Sequence, residues 1–452
     1  MKLTPLDPWI SRKIAAGESQ LTRQELEAWQ LLKLNETLAL ARSKSPFYRN
    51  LFAAKPDSIT SLIDLRQFPF TTPDDIRRNP LQFVCVSQGE IQRVVTLQSS
   101  GTTGEPKRIY FTADDQELTI DFFGVGMSTL VQPGERVLIL LPGETSGSVG
   151  DLLATGLSSL GAIPVRYGPV RDPQDALAAM QTEKIDVLVG APVNVLTLAR
   201  FYQVRKKTNW IKPGQVLLST DHVPQAIIAA LERIWGCTVY NHYGMTEMGL
   251  GGGVECQARQ GYHLREADLY FEIVDPITGE AVQDGEQGEV VFSTLTRRGM
   301  PLIRYRTGDL SRFIPWKCSC GTVLYNLEKV TQRLSGQVIL GKPAEARRVS
   351  TRGNLVLHIA DLDEVLFSIP QLVNFSASLI TWEGKDRLEI KVITMPDAPS
   401  NIADQALLLL DSIPTIEAAR QAGVLDVRIQ LQEFEVASAG ILAKRVIVDQ
   451  RG

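Results

Sequence analysis

Long apolar runs are missing from this chain: no stretch of about 18 apolar residues is available to span a bilayer. A basic surplus is missing too. Lys and Arg number 47 against 51 Asp and Glu, a net charge of −4, so no broad cationic surface invites nucleic acid. Cysteines are scarce and odd in number: Cys85, Cys237, Cys256, Cys318 and Cys320 in 452 residues. Such a set is no disulfide framework and fits a reducing compartment. The opening "MKLTPLDPWISRKIAAGESQ" lacks the apolar core of a secretory signal, so the expected home is the cytoplasm. Internal repeats and low-complexity tracts are also missing. What is left, 44% hydrophobic and 22% charged, is an ordinary globular composition in a chain long enough for two or more domains.

The hydrophobic pattern divides the chain. Residues 20–55 carry an apolar face at helical spacing, and "FPFTTPDDIRRNP" predicts a turn and a capped short helix starting near Thr72. From about 110 to 240, apolar strands ("RVLILL", "DVLVG", "GQVLLST", "CTVYNHYG") alternate with amphipathic helices ("DPQDALAAMQTE", "VPQAIIAALERIWG"). That alternation predicts a mostly parallel sheet covered by helices, with ligand crevices at the carboxyl ends of strands. After about 265 the pattern becomes strand, turn-rich link and strand, which predicts a smaller β subdomain. The last ~115 residues read β-α-β, a compact α+β module behind a link near 333–345. The predicted fold class is α/β: a large domain over 1–334 with a β subdomain, and a small mobile domain over 335–452.

Four segments carry chemistry. "LQSSGTTGEPKRIYFT" (97–112) combines two permissive glycines, Gly101 and Gly104, with the hydroxyls of Ser99, Ser100, Thr102 and Thr103 and the charge of Lys107. Backbone N–H groups and hydroxyls of this kind suit a polyphosphate. The loop is no P-loop, because Lys107 is followed by Arg108, and it joins two strands. In "VYNHYGMTEMG", Tyr243 offers a face for a base, Thr246 a hydroxyl and Glu247 a carboxylate suited to Mg²⁺. In "PLIRYRTGDL", Asp309 can accept hydrogen bonds from sugar hydroxyls, although a lone Asp in a turn is more often only a turn residue. Cys256, His263, Cys318 and Cys320 supply four ligands of the types that close a structural zinc site, at a spacing unlike a zinc finger.

The motifs "SSGTTGEPK", "YGMTE" and "RYRTGDL", in this order, resemble the acyl-adenylate-forming ligase superfamily. The upstream "SPFYRNLF" and "SLIDLRQFPFTTPDDIRRN" are similar to its phenylacetate–CoA ligase branch. The resemblance covers roughly residues 30–335. It implies the adenylate-forming fold and a two-step reaction with ATP·Mg²⁺, a carboxylic acid and CoA. By resemblance, Ser99 to Gly104 and Lys107 handle the β/γ-phosphates. Tyr243, with Gly244 and Met245, flanks the adenine, and so does the segment Ser219-Thr220-Asp221. Thr246 contacts the α-phosphate, Glu247 holds Mg²⁺, and Asp309 binds the ribose. The Cys-His-Cys-x-Cys set then implies a structural Zn²⁺. A homodimer is compatible with the resemblance, since related ligases often pair.

The resemblance weakens toward the chain end. After the Cys-x-Cys the branch usually shows Gly-Arg and an acidic hinge residue; here Gly336-Gln337 is followed by Val338 and Ile339, with Arg333 the cation nearby. Anchoring "AGILAKRVIVDQRG" on Arg445-Val446 puts Leu442 at the adenylation lysine's place and Lys444 two residues on, about 6–7 Å along an extended segment. Lys444 is the candidate replacement. The stretch matching the acyl pocket, "LPGETSGSVGDLL", has Pro142, Glu144, Ser146 and Gly147 where aromatics are usual. A buried carboxylate is costly unless paired, so either Glu144 faces away or the acid is polar. Two rivals to an active CoA ligase follow: a nucleotide-binding protein with degenerate catalysis, and an enzyme that passes its acyl group to a carrier-protein thiol.

Overall fold

The computed structural model describes residues 2–16, 20–97, 105–205, 210–341, 354–396, 398–435 and 445–451. The described chain forms two compact units, each assembled from distant segments. The first joins 1–135, 142–164 and 240–330; the second joins 136–141, 165–239 and 331–452. This division does not follow the 334/335 boundary expected from the sequence.

In the first unit the helix Arg23–Lys44 starts with a capping box, Thr22 and Glu25 satisfying each other's backbone N–H groups. The expected 20–55 helix is interrupted at Ser45, whose φ/ψ is extended ahead of Pro46, and the chain restarts as Pro46–Leu51. Thr72 caps the helix Pro73–Arg78 as the sequence predicts. The strands Ile91–Leu97 and Lys107–Thr112 pair antiparallel, so the Gly/Ser/Thr loop joins two strands. Thr112 then caps the helix Ala113–Met127, which lies close against Val149–Ser159. The approach depends on Gly156, where a Cβ would sit 2.8 Å from the Ile120 carbonyl oxygen and 2.9 Å from the Gly124 nitrogen. The β subdomain is Leu269–Val274, Gly288–Thr294 and Tyr305–Ser311, paired antiparallel in that order. A smaller antiparallel set runs from the end of Thr238–Tyr243 through Gly253–Glu255 and Tyr262–Leu264 to Asn326–Leu327. An aromatic-rich core with Tyr48, Phe52, Phe83, Phe292 and Tyr305 lies beneath these strands.

In the second unit Arg136–Ile139, Val187–Gly190 and Gln215–Leu218 are parallel neighbours, as the strand–helix alternation requires. The C-terminal module orders its sheet as Leu425–Glu433, Lys385–Thr394, Leu372–Trp382 and Ile447–Asp449. One apolar core includes Leu188, Leu196 and Leu198 from the parallel layer together with Leu340, Leu357, Phe367 and Phe375 from the module. No helix among the described residues is long and apolar enough to cross a membrane.

Candidate active site

Three elements of the first unit converge on one buried ion pair. Lys107 opens the strand Lys107–Thr112, Glu247 sits in the single 3-10 turn Thr246–Met248, and Tyr305 opens Tyr305–Ser311. The Lys107 ammonium is in direct contact with the Glu247 carboxylate. It also donates to the Tyr305 hydroxyl at 3.2 Å, and that hydroxyl donates to Glu247 Oε1 at 3.1 Å. Glu247 is only 2% exposed. Burial pushes its carboxyl up, but the charge of Lys107 and the hydrogen bonds from Lys107 and Tyr305 outweigh this and hold it below the usual range. The result is a dry, ionised carboxylate with a cation already at hand, which suits both a divalent metal and the charge of a phosphate.

Four residues along the same strand, Asp309 is buried and accepts the Tyr243 hydroxyl at 3.0 Å. Tyr243 stacks on Tyr262 with ring centroids 5.6 Å apart, so one of its two faces is already covered. Gly244 lies where a Cβ would come within 2.3 Å of the Leu250 carbonyl oxygen, and Met245 accepts the Met248 and Leu250 amides through its own carbonyl. Tyr305 was missed from sequence, although it falls inside the "RYRTGDL" motif. Positions 305, 307 and 309 are buried and alternate with half-buried neighbours, and Gly308 at φ +76° marks a bulge that turns Asp309 toward Tyr243.

Ser219-Thr220-Asp221 belongs to the second unit, directly after the strand Gln215–Leu218. Ser219 donates its amide to the Gly190 carbonyl at 3.1 Å, and Thr220 holds a left-handed φ of +78° that is unusual for a β-branched residue. Arg333 is also in that unit, in the short strand Gln332–Arg333. Ser99, Ser100, Gly101, Thr102, Thr103, Gly104, Leu442 and Lys444 lie outside the described residues. Arg445, immediately after Lys444, is clamped: its guanidinium donates to Asp363 Oδ1 and, at 2.9 Å, to Asn374 Oδ1. Glu144 and Ser146 are exposed, so no buried-carboxylate cost arises at 144.

The four candidate zinc ligands come together in the first unit. Their ligand atoms all lie within 4.8 Å of one another, and all four residues are buried. Cys256 Sγ and Cys318 Sγ are 3.7 Å apart, and Cys320 Sγ and His263 Nε2 are 3.4 Å apart. Metal–sulfur bonds of about 2.3 Å in a tetrahedron give sulfur–sulfur edges of about 3.8 Å, so the set has the size a zinc ion needs. The amides of Ala258 and Cys320 donate to Cys256 Sγ and Cys318 Sγ at 3.3 and 3.5 Å, the kind of support thiolates receive. Hydrogen bonding with Cys256 and His263 holds the Cys320 thiol below the usual range, while the same bond between Cys256 and Cys320 pushes Cys256 up and burial pushes Cys318 up.

Known proteins match this arrangement. The family model of AMP-binding enzymes matches residues 52–296. A phenylacetate-coenzyme A ligase of Aromatoleum evansii is 31% identical over 395 residues, 83% of each chain. Another, from Thermus thermophilus, is 30% identical over 392 residues, 82% of each chain. Among solved structures, a 2-hydroxyisobutyryl-CoA ligase in complex with 2-HIB-AMP superposes with a TM-score of 0.78. It is 19% identical over 95% of this chain and 91% of that one, a likeness of fold. Family model, relatives and fold agree with the motif order, and the chain belongs to the acyl-adenylate-forming ligases, in their phenylacetate–CoA ligase-like branch.

Proposed function

We propose that this protein is an AMP-forming acid–CoA ligase whose adenylation centre is built on Lys107, Glu247 and Tyr305. A carboxylate oxygen of the acid attacks the α-phosphorus of ATP. The bond to the bridging oxygen breaks, and pyrophosphate leaves with its electron pair. The CoA thiol, giving up its proton to solvent, then attacks the acyl carbon, and AMP leaves with the electron pair of the broken carbon–oxygen bond. Negative charge builds on the phosphates in the first step, which is where preorganised cations and donors lower a barrier. Lys107 and the loop 99–104 hold the β/γ-phosphates, Thr246 the α-phosphate, and Asp309 the ribose. Tyr243, Gly244, Met245 and the segment 219–221 hold the adenine. Glu247 would hold Mg²⁺, whose charge would offset that of the phosphates. The observation that carries the reading is the buried contact between Lys107 and Glu247, a cation and an anion kept out of water where phosphate chemistry needs both.

Zn²⁺ on Cys256, His263, Cys318 and Cys320 is the structural part of the proposal, supported by a ligand set sized for a tetrahedron. Further parts are residues 335–452 moving as a body between the two half-reactions, with Arg333 near the hinge, a cytoplasmic home, and a homodimer. Lys444 is assigned the adenylation-lysine role. A second reading, nucleotide binding with degenerate catalysis, is favoured by Leu442 standing where that lysine is usual. Calorimetric titration of ATP·Mg²⁺ with Asp309→Ala as control tests the site without a guess about the acid. Binding that weakens in the variant is expected, followed by acid-dependent pyrophosphate release across an acid panel. Folded protein that binds no ATP up to millimolar concentrations would end the ligase reading. Binding without release from any acid, restored by Leu442→Lys, would select the second reading.

A further inference from the structure

Glu247 is carried by an unusual turn. The 3-10 helix Thr246–Met248 is followed by Gly249 at φ +72° and then Leu250 at φ +65°. A leucine in the left-handed region is strained and persists only where its surroundings over-determine it. Inside the turn, the amides of Gly249 and Leu250 donate to the carbonyls of Thr246 and Met245 at 3.0 and 2.9 Å. Two side chains grip it from outside. Arg297 Nη1 donates to the Glu247 carbonyl oxygen at 2.7 Å, and Thr119 Oγ1 donates to the Gly249 carbonyl oxygen at 2.8 Å.

Arg297 is 6% exposed, and its guanidinium lies 4.5 Å over the Phe111 ring. Its Nη2 has no hydrogen-bond partner among the described residues. Burial pushes its pKa down to about 10, against the pull of Asp115, so the group is still charged at neutral pH. A charge kept in the interior with one donor unsatisfied is costly, and the contact to Glu247 is what it makes in return. The gripping groups share one frame. Asp115 accepts the Arg298 and Gly299 amides at 3.0 and 3.1 Å and thereby fixes the segment after Arg297. Asp115 and Thr119 are one turn apart on the helix Ala113–Met127, which begins where the strand opened by Lys107 ends. Lys107 and Glu247 are therefore referenced to the same helix.

We propose that Arg297 is a positioning residue for adenylation: it grips the backbone of Glu247 and so fixes the carboxylate against the divalent cation. This rests on the reading of Glu247 as the Mg²⁺ ligand. It is tested with Mn²⁺ as probe, titrated into protein carrying one equivalent of ATP and no acid, with free Mn²⁺ followed by its EPR signal. Arg297→Met should weaken Mn²⁺ binding about 10-fold, the usual scale for removing a group that orients a metal ligand. Arg297→Lys, which keeps a charged donor, should recover to within about 3-fold, and Thr119→Val should shift the same way by less. ATP affinity measured without metal should be unchanged in all three. Mn²⁺ binding unaltered in Arg297→Met would overturn the proposal, as would a loss in Arg297→Lys equal to that in Arg297→Met. If the methionine variant does not fold, Thr119→Val and Arg297→Lys decide alone: wild-type Mn²⁺ binding in Thr119→Val overturns the proposal. Glu247→Gln separates the two layers. If it leaves Mn²⁺ binding intact, Glu247 is not the ligand and both readings fall; if it abolishes binding while Arg297→Met does not, only the role of Arg297 falls.

Discussion

The candidate adenylation centre is held by one buried ion pair and its hydrogen bonds, whereas the C-terminal module sets a large apolar core beside ion pairs of its own, Arg445 with Asp363 and Arg451 with Asp386 and Asp449. In the centre each polar group is another's partner: Lys107 neutralises Glu247, Tyr305 bridges them, and Tyr243 satisfies Asp309. In the module the weight is carried by apolar packing around Leu340, Leu357, Phe367 and Phe375, and by the clamp of Asp363 and Asn374 on Arg445. The difference bears on what each region can lose. Removing Lys107 would leave a buried carboxylate without its cation. Leucine at 442 brings no charge that a partner would have to neutralise.

Lys107→Met should break the centre on both counts. It should lose about 3–5 kcal/mol of stability, because Glu247 is left uncompensated, and adenylation about 10²–10³-fold, the scale for losing one preorganised donor. Melting curves and pyrophosphate release measure the two. Lys444→Ala should leave the melting curve in place and lower only turnover, and Leu442→Lys should raise turnover. If Lys107→Met melts like the wild type, the comparison between the regions fails.

Cys318→Ser should come next. With one ligand lost from a buried four-ligand set, bound zinc should drop from one per chain to well below it, with a melting midpoint lower by about 10 °C or more. Metal analysis of the purified protein measures the first and calorimetry the second. A wild-type protein that contains no zinc and melts unchanged after chelation would leave the four residues as packed thiols and a buried histidine.

Two histidines sharpen the contrast through pH. His242 lies against the rings of Phe122 and Phe123, at 6.1 and 5.9 Å, and burial pushes it from 6.5 down to about 4. The unfolded chain therefore takes up a proton that the folded chain refuses. The stability linked to His242 is complete above about pH 6.5 and is lost as pH falls toward about 4, up to about 3 kcal/mol in all. His242→Gln should flatten that window. In the C-terminal module His358 is pushed down by burial as well, but Asp361 pulls it back up, so His358→Gln should flatten it less. Equal flattening by the two variants would show that burial alone does not set the difference.

The fold was largely legible because its signals are local. Thr72 ahead of Pro73 and Asp75 states a capped start, and the alternation of "RVLILL", "DVLVG" and "GQVLLST" with helices states a parallel layer. The break at Ser45-Pro46 was equally local, yet it was read through because the apolar face continues beyond it. The helix Pro414–Gln421 was missed, since its buried positions are only Ile416 and Ala419 and the stripe is too thin to register. The grouping of 331–452 with 165–239 depends on Leu196 and Leu198 sharing a core with Phe375, a pairing no local pattern encodes. At the candidate site, motif chemistry singles out Lys107, Glu247, Tyr243 and Asp309, and the structure pairs Lys107 with Glu247 and Tyr243 with Asp309. Arg297 was not legible, because it works through a backbone carbonyl 50 residues away in sequence, and a carbonyl has no letter in a sequence.

The smallest expected effect bears on whether 335–452 moves at all. Glu364 of the C-terminal module accepts the Gln225 and Ala226 amides at 2.7 and 3.0 Å, capping the N-terminus of the helix Gln225–Trp235. Arg200, from the helix Pro192–Arg205, donates in return to the Phe367 carbonyl at 2.7 Å, at the C-terminal end of the helix Ile359–Leu366. Each layer thus caps a helix of the other with the charge its dipole favours. Glu364→Ala should cost about 1 kcal/mol, the usual worth of an N-terminal cap, and should speed hydrogen exchange at the 225 and 226 amides. The same amides report on the wild type. If the module leaves this seat between half-reactions, ATP, acid and CoA together should speed their exchange toward that of Glu364→Ala; unchanged exchange during turnover would mean that the module stays seated and the acyl group is transferred without the swing.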